Sequence, residues 1–280
     1  MDEKIAVIGS NSFLGGHLIH YALSQGFNVL GLSRSVKKTI PFNPYDWKMG
    51  KAHNLSLEQL NPSDHLSNDI NIINEYQPHY IVHCADDGHV EIHDQLKNQS
   101  PLKKYVYVSS LKNDLHVQSK SNSSVIVTST AHVYGPGQQV HELIPKIILS
   151  ILFEKKFSLH EGEHATHSFI HINDMIAGIF KATCEGAPGA TYHFSTDRLI
   201  SIRNLVALIC NRMNVSFENA VTIVDDCSKQ DLVTSLGDTQ EHRQLDWQPS
   251  IELEQGIDSV INWIQEWLPA LKNHLTDFED

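Results

Sequence analysis

The chain has 280 residues, 41% of them hydrophobic and 19% charged, and its apolar runs are short, which excludes a disordered polymer and a membrane-spanning bundle. At roughly 150 residues per domain, this is one large domain or a nucleotide lobe with a smaller companion. Lys and Arg total 21 against 33 Asp and Glu, a formal charge of −12 that disfavours nucleic acid, RNA included, and anionic lipid as partners.

The opening MDEKIAVIGS lacks the basic-then-apolar pattern of a secretory leader, and Cys84, Cys184, Cys210 and Cys227 show no CxxC or metal-like spacing. A reducing cytoplasm without structural disulfides is expected. The next signal is local: an apolar strand KIAVIG, a Gly/Ser/Asn turn, a helix with Leu14, Leu18, Ala22 and Leu23 on one stripe, a Gly stop and a second apolar strand NVLGL. This is a β-α-β unit. Further strands are predicted at YIVHCA (80–85), KYVYVSS (104–110) and SVIVT (124–128), each apolar enough for a sheet covered on both faces. The predicted class is therefore α/β, with a Rossmann-like, doubly wound parallel sheet.

After Gly135-Pro136-Gly137 the texture changes. A helix is predicted around Leu143–Phe153, short strands near 157–160, 169–172 and 191–194, and a helix opened by Ser201 with Ile202, Leu205, Val206 and Ile209 on one face. The final helix presents Leu253, Ile257, Val260, Ile261, Ile264 and Leu268 to a core, with Trp263 and Trp267 beside them. No repeat or Pro/Ser-rich linker separates the parts. Residues 1–134, with 165–190 returning, are assigned to the Rossmann-like lobe, and 135–280 mainly to a smaller α/β lobe for substrate.

Between the first strand and its helix stands Gly9-Ser10-Asn11-Ser12-Phe13-Leu14-Gly15. Gly9 makes the sharp turn, Gly15 lets the helix approach the sheet, and the helix start offers free N–H groups to a pyrophosphate. The dinucleotide fingerprint has a middle glycine where this chain has Ser12, so a purely structural tight turn is the competing reading. Gly9, Asn11, Ser12, Phe13, Leu14 and Gly15 are the candidate phosphate contacts. Gly15→Val should abolish dinucleotide affinity while leaving the fold largely intact. The second strand ends in Ser33-Arg34, near Lys37 and Lys38, where an acidic residue would mark NAD. A 2′-phosphate suits Ser33 and Arg34, which favours NADP over NAD; the alternative is that these are ordinary solvated loop charges.

On GSNSFLGG (9–16), YIVHCA (80–85), YVYVSS (105–110), TSTAHVYGPGQQ (128–139), HSFIHINDM (167–175), YHFSTDRLISIRNLV (192–206) and LDWQPSIELEQGI (245–257), the chain resembles the extended short-chain dehydrogenase/reductases, in particular the nucleotide-sugar epimerases and 4,6-dehydratases. The resemblance implies NAD(P) in the first lobe, with Ala85 beside it at a strand end, and a nucleotide-diphosphate sugar under the second lobe. It also implies a hydride relay in which a tyrosinate takes a proton, a lysine lowers the tyrosine pKa, and a Ser or Thr orients the oxygen.

The expected Tyr-x-x-x-Lys is missing between YVYVSS and SVIVT. Its nearest counterpart is His116-Val117-Gln118-Ser119-Lys120, and Leu111 stands at the Ser/Thr position. Lys120, as a catalytic and cofactor contact, and His116, as a proton acceptor, are what remains of that machinery. Only residues 111–124 separate YVYVSS from SVIVT, too few for a catalytic loop plus long helix, and 86–104 is similarly short. Those helices usually build the family's dimer interface, so no oligomeric state is assigned. Ser129, His132, Glu142, His167 and Cys227 stand where relatives carry Arg or Asn for the sugar nucleotide, and guanidinium groups are the usual diphosphate partners.

Other constellations are weaker. Among 18 histidines, His160, His164, His167 and His171 lie close together, but sheet packing is preferred to zinc. Cys84-Ala85-Asp86-Asp87-Gly88-His89 reads as a strand exit, and Ser109 with His116 lacks a nucleophile elbow. Two functions compete: an oxidoreductase or epimerase on a nucleotide sugar, using Lys120 and His116, and a catalytically silent relative that binds cofactor or a partner protein.

Overall fold

Strand-length apolar runs flanked by turns assemble into a parallel sheet, because a strand buried on both faces needs no polar alternation. The structure, a computed structural model, describes residues 3–35, 39–47, 54–60, 66–84, 89–96, 98, 100–109, 124–130, 132–160, 165–224 and 245–272. Its contacts divide the chain into two units, 1–130 with 173–194 and 238–248, and 131–172 with 195–237 and 249–280. The first therefore regains the chain twice, through 173–194 and again through 238–248.

In the first unit the strands are β1 (Lys4–Ile8), β2 (Asn28–Ser33), β3 (Leu55–Gln59), β4 (Tyr80–His83), β5 (Lys104–Ser109), β6 (Ile126–Thr130) and, after an excursion into the second unit, the strand at Thr191–Phe194. All seven are parallel neighbours, with Thr191–Phe194 outside β6 and the order then β5-β4-β1-β2-β3. The alternation of a pleated strand assigns the faces. Ala6, Ile8, Leu30, Leu32, Ile81, Tyr105, Tyr107 and Val127 form one buried layer with Ile70 and Ile73 of α3 (Leu66–Tyr76) and Ile92 and Leu96 of α4 (His89–Leu96). Ile5, Val7 and Val29, with the opposite parity, are fully buried too. Helix α1 (Phe13–Ser24) packs on β1 and β2, and its Tyr21 ring meets Phe180 at 5.1 Å. A short helix α2 (Pro44–Trp47) packs against α1.

Strand β3 lies in a stretch that the apolar-run criterion passes over, because LSLEQ is the outer strand and mostly exposed. The length of chain between β5 and β6 matters more. The two strands pair in parallel with only residues 110–125 between them, while α4, between β4 and β5, is described from His89 to Leu96.

In the second unit, β7 (His132–Tyr134), β9 (Thr166–His171) and β11 (Leu199–Ser201) form a small mixed sheet, β9 central. Strands β8 (Phe157–His160) and β12 (Val221–Val224) form a parallel pair. In full chain order, β10 is the Thr191–Phe194 strand and the remaining helices are α5 (Leu143–Leu152), α6 (Ile172–Glu185), α7 (Ile202–Arg212), α8 (Phe217–Ala220) and α9 (Leu253–Leu271). Ser201 caps α7, accepting from the Asn204 N–H, as its place before the apolar stripe predicts. In α9, Leu253, Ile257, Val260, Ile261, Trp263 and Ile264 are buried, but Leu268 and Trp267 are only half-buried and Leu271 closes the core instead. Among the described residues no helix is long and apolar enough to cross a membrane.

Candidate functional site

The turn after β1 is built from its backbone outward. Gly9 has φ = 85°, a left-handed conformation that costs a side-chain-bearing residue about 1 kcal/mol or more. The Ser12 N–H donates to the Gly9 carbonyl at 2.9 Å, closing the turn, and the Gly9 and Ser10 N–H groups donate to the Leu32 carbonyl at 2.8 and 3.0 Å. Ser12 has ordinary extended angles and caps α1, its Oγ accepting from the Gly15 N–H at 2.9 Å. No middle glycine is required for such a backbone. The Phe13 and Leu14 N–H groups, at the first two helical positions, have no intrahelical acceptor and remain suited to an anion.

Gly15 is where the helix comes closest. A Cβ there would lie 2.2 Å from the Gly9 carbonyl oxygen, a backbone atom with no room to yield. The expectation that Gly15→Val leaves the fold intact is therefore corrected: valine would displace the turn itself, and loss of ligand would not be separable from loss of structure.

At the carboxyl ends of four neighbouring strands this turn borders a cleft of about 400 Å³. Gly9, Asn11 and Ser12 line it after β1, Ser33, Arg34 and Ser35 after β2, Leu60 after β3, and His83 and Cys84 after β4, with Asp69 and Ile92 from α3 and α4. Asn11 Nδ2 donates to the Ser35 carbonyl at 2.7 Å, tying the β1 turn to the end of β2. Ser33 and Ser35 share a hydroxyl contact of 2.9 Å. The Arg34 guanidinium donates through Nη2 to Asp69 Oδ2 at 2.6 Å, the carboxylate side chain being 4% exposed and the guanidinium 30%.

At the far wall His83 is fully buried and its Nδ1 lies 2.7 Å from the Tyr105 hydroxyl. Cys84 is part-exposed as a residue, yet desolvation of its thiol pushes the pKa up to about 12. It stays protonated at neutral pH, which disfavours a nucleophilic role there.

Of the candidates read from the sequence, Gly9, Asn11, Ser12, Ser33 and Arg34 line this one cleft, while Phe13, Leu14 and Gly15 form the first turn of α1 beside it. Ala85, Leu111, His116, Lys120 and Cys227 lie outside the described residues. Sequence reasoning missed Asp69, Leu60 and His83. For His83 a signal existed, since a histidine inside a run buried on both faces must find a polar partner.

Residues 5–100 and 112–193, more than half of the chain, match the family described as "NAD dependent epimerase/dehydratase family". The chain belongs to that family. Among curated relatives, bovine dTDP-D-glucose 4,6-dehydratase is 29% identical over 154 residues, 53% of this chain and 43% of the bovine protein. The Escherichia coli dTDP-glucose 4,6-dehydratase is 24% identical over 155 residues, 51% of this chain and 43% of that protein. The chain thus matches less than half the length of these relatives. Among solved structures, dTDP-glucose 4,6-dehydratase from Bacillus anthracis in complex with NAD superposes with a TM-score of 0.81 at 19% identity, over 94% of this chain and 97% of that one. UDP-glucose 4-epimerase from Thermotoga maritima with UDP-glucose gives 0.70 at 15% identity, over 95% and 99%. At these identities the superpositions establish the fold alone.

The positions read against the family's sugar-nucleotide residues carry other chemistry in this epimerase/dehydratase-family chain. Ser129, fully buried in the first unit, engages His193 Nδ1 through its hydroxyl. In the second unit, His132 and His167 meet edge to face with ring centroids 5.0 Å apart, and His132 lies tilted over Phe169 at 5.4 Å. The His132 edge reaches solvent, but packing around the ring, and then the nearby His167, hold its pKa below the usual 6.5. Glu142 is exposed at the start of α5 and makes no side-chain cap there. Among the described residues no three His, Cys, Asp or Glu side chains are grouped to hold a metal ion.

Proposed function

We propose that this chain is a dinucleotide-binding member of the epimerase/dehydratase family whose turnover of nucleotide sugars is absent or severely reduced. The cofactor half of the reading is supported by fit. The left-handed Gly9, the close approach at Gly15 and the uncapped N–H groups of Phe13 and Leu14 suit a pyrophosphate, and apolar Leu32, Leu60 and Ile92 line the cleft beside polar Asn11 and Ser33. Bound there, NAD(P) would supply hydride acceptance and donation. Gly9, Asn11, Ser12 and Ser33 would hold it, His83 would wall it, and Ala85 and Lys120 keep the contact roles that the family resemblance assigns them.

The observation that carries the silent half is the parallel pairing of β5 and β6 with only residues 110–125 between them. A crossover including its helix needs at least about 10–12 residues, so what remains cannot hold both a catalytic loop and a long helix. Within it His116 replaces tyrosine and Leu111 replaces the orienting hydroxyl. A neutral imidazole, with a usual pKa of about 6.5, can accept a proton, which makes His116 with Lys120 the substitute to test. A nucleotide sugar should bind weakly, because Ser129, His132, Glu142 and His167 offer no permanently charged fork to a diphosphate. The thiols of Cys84, Cys184 and Cys210 are free, which suits a reducing, cytoplasmic setting.

The test pairs calorimetry of NAD and NADP binding with an assay of UDP-, dTDP- and GDP-sugar conversion, run beside His116→Ala and Lys120→Ala. Tight dinucleotide binding without turnover supports the reading. Robust turnover lost in both variants would replace it with that of an active epimerase or dehydratase.

A further inference from the structure

Arg34 stands at the end of β2, where sequence alone assigns it to a 2′-phosphate, but its guanidinium is already engaged. Nη2 lies 2.6 Å from Asp69 Oδ2, and both residues line the same cleft as Gly9 and Ser33. Asp69 comes from α3, thirty-five residues further along the chain, and its side chain is 4% exposed, so the carboxylate is buried against the cleft wall. At the surface end of the pair the guanidinium keeps 30% exposure.

We propose that Asp69 is a specificity residue of the dinucleotide cleft: it supplies, from α3, the carboxylate that β2 lacks, neutralises Arg34, and removes the NADP preference that Arg34 would otherwise confer. This rests on the dinucleotide reading given above.

The physical basis is charge. A 2′-phosphate brings close to two negative charges to the end of β2, and a lone arginine there would attract it through two parallel N–H donors. With Asp69 in contact the pair is neutral overall, and a phosphate reaching Arg34 also meets a buried carboxylate. A ribose diol carries no charge and meets no such opposition. It finds hydroxyl groups at Ser33 and Ser35 and, in Asp69, an acceptor of the kind that NAD-binding sites place at the end of the second strand. The acidic residue is present in space though absent from its usual place in the sequence.

The experiment measures dissociation constants of NAD and NADP by calorimetry at low and at physiological salt, for the native chain, Asp69→Asn, and Arg34→Ala/Asp69→Asn. The native chain is expected to bind NADP no more tightly than NAD at either salt. Asp69→Asn should raise the ratio of NADP to NAD affinity on the order of tenfold, the size of one charge contact near a protein surface, and salt should then erode that gain. The double variant should lose the gain, because the guanidinium no longer opposed by the Asp69 charge produces it. A native preference for NADP of tenfold or more at low salt overturns the proposal, as does an unchanged ratio in a folded Asp69→Asn. Should Asp69→Asn fail to fold, the native ratio and its salt dependence decide the question. Binding of neither dinucleotide overturns the cofactor reading itself, and NAD binding with no effect of Asp69 overturns this inference alone.

Discussion

One missing carbon sets how closely α1 approaches β1. Because the Cβ of any residue at position 15 would sit 2.2 Å from the Gly9 carbonyl oxygen, Gly15→Ala should cost about 3 kcal/mol or more, a size reached by few mechanisms other than steric conflict in a fixed backbone. Urea unfolding would show it as a lowered midpoint, and a native-like midpoint would mean that the turn yields easily. Ser12→Ala removes only the cap on the Gly15 N–H, so the same measurement should give about 1 kcal/mol. This makes Ser12→Ala the better probe of the phosphate turn, since a folded variant can still be titrated with ligand. Gly9 and Gly15 are legible in the sequence because the turn is local and its φ and packing demands admit almost no other residue. Asp69 was not legible, because its approach to Arg34 depends on how β2, β3 and α3 are laid side by side, which no local pattern encodes.

At the level of elements, the strands that the sequence reveals are those buried on both faces, and β3 escapes notice because an outer, exposed strand needs no apolar run. The shortness of the β5–β6 connection is legible by length alone, whereas His116 and Lys120 lie outside the described residues. Pairing of β7 with β9 also has a chemical consequence. His132 lies opposite Phe169 in register and touches His167, and packing plus that neighbour hold the His132 pKa below 6.5. A group whose folded pKa is depressed binds its proton more readily in the unfolded chain. His132 therefore destabilises the fold as pH drops below its unfolded value, and stability should rise with pH through the interval just under 6.5. His132→Gln should flatten that part of the stability–pH curve in urea titrations between about pH 5 and 7, the interval in which histidine titrates. An unchanged slope would mean that the packing around His132 carries no penalty for its charge.

For the molecule as a whole, the order of the parallel sheet decides where a ligand belongs. β1 lies between β4 and β2, so the connections leave in opposite directions from that point, and a crevice opens at the carboxyl ends of the strands. Residues following β1, β2, β3 and β4 all border the one cleft, so a single dinucleotide would bridge four chain segments that are distant in sequence. A ligand bound only to the folded state stabilises it by about 2.7 kcal/mol when present at 100 times its dissociation constant. For a chain of this size that corresponds to a rise in Tm of roughly 5–10 °C. NAD at that excess should produce such a shift in thermal unfolding. ADP-ribose should reproduce most of it, because the groups that line the described cleft are those suited to pyrophosphate and adenosine ribose. UDP-glucose at equal concentration should give a much smaller shift, since the positions that the family resemblance reads against sugar-nucleotide Arg and Asn hold serine, histidine and glutamate here. A larger shift with UDP-glucose than with NAD would mean that the chain's principal ligand is the nucleotide sugar, and that the histidines of the second unit bind a diphosphate after all.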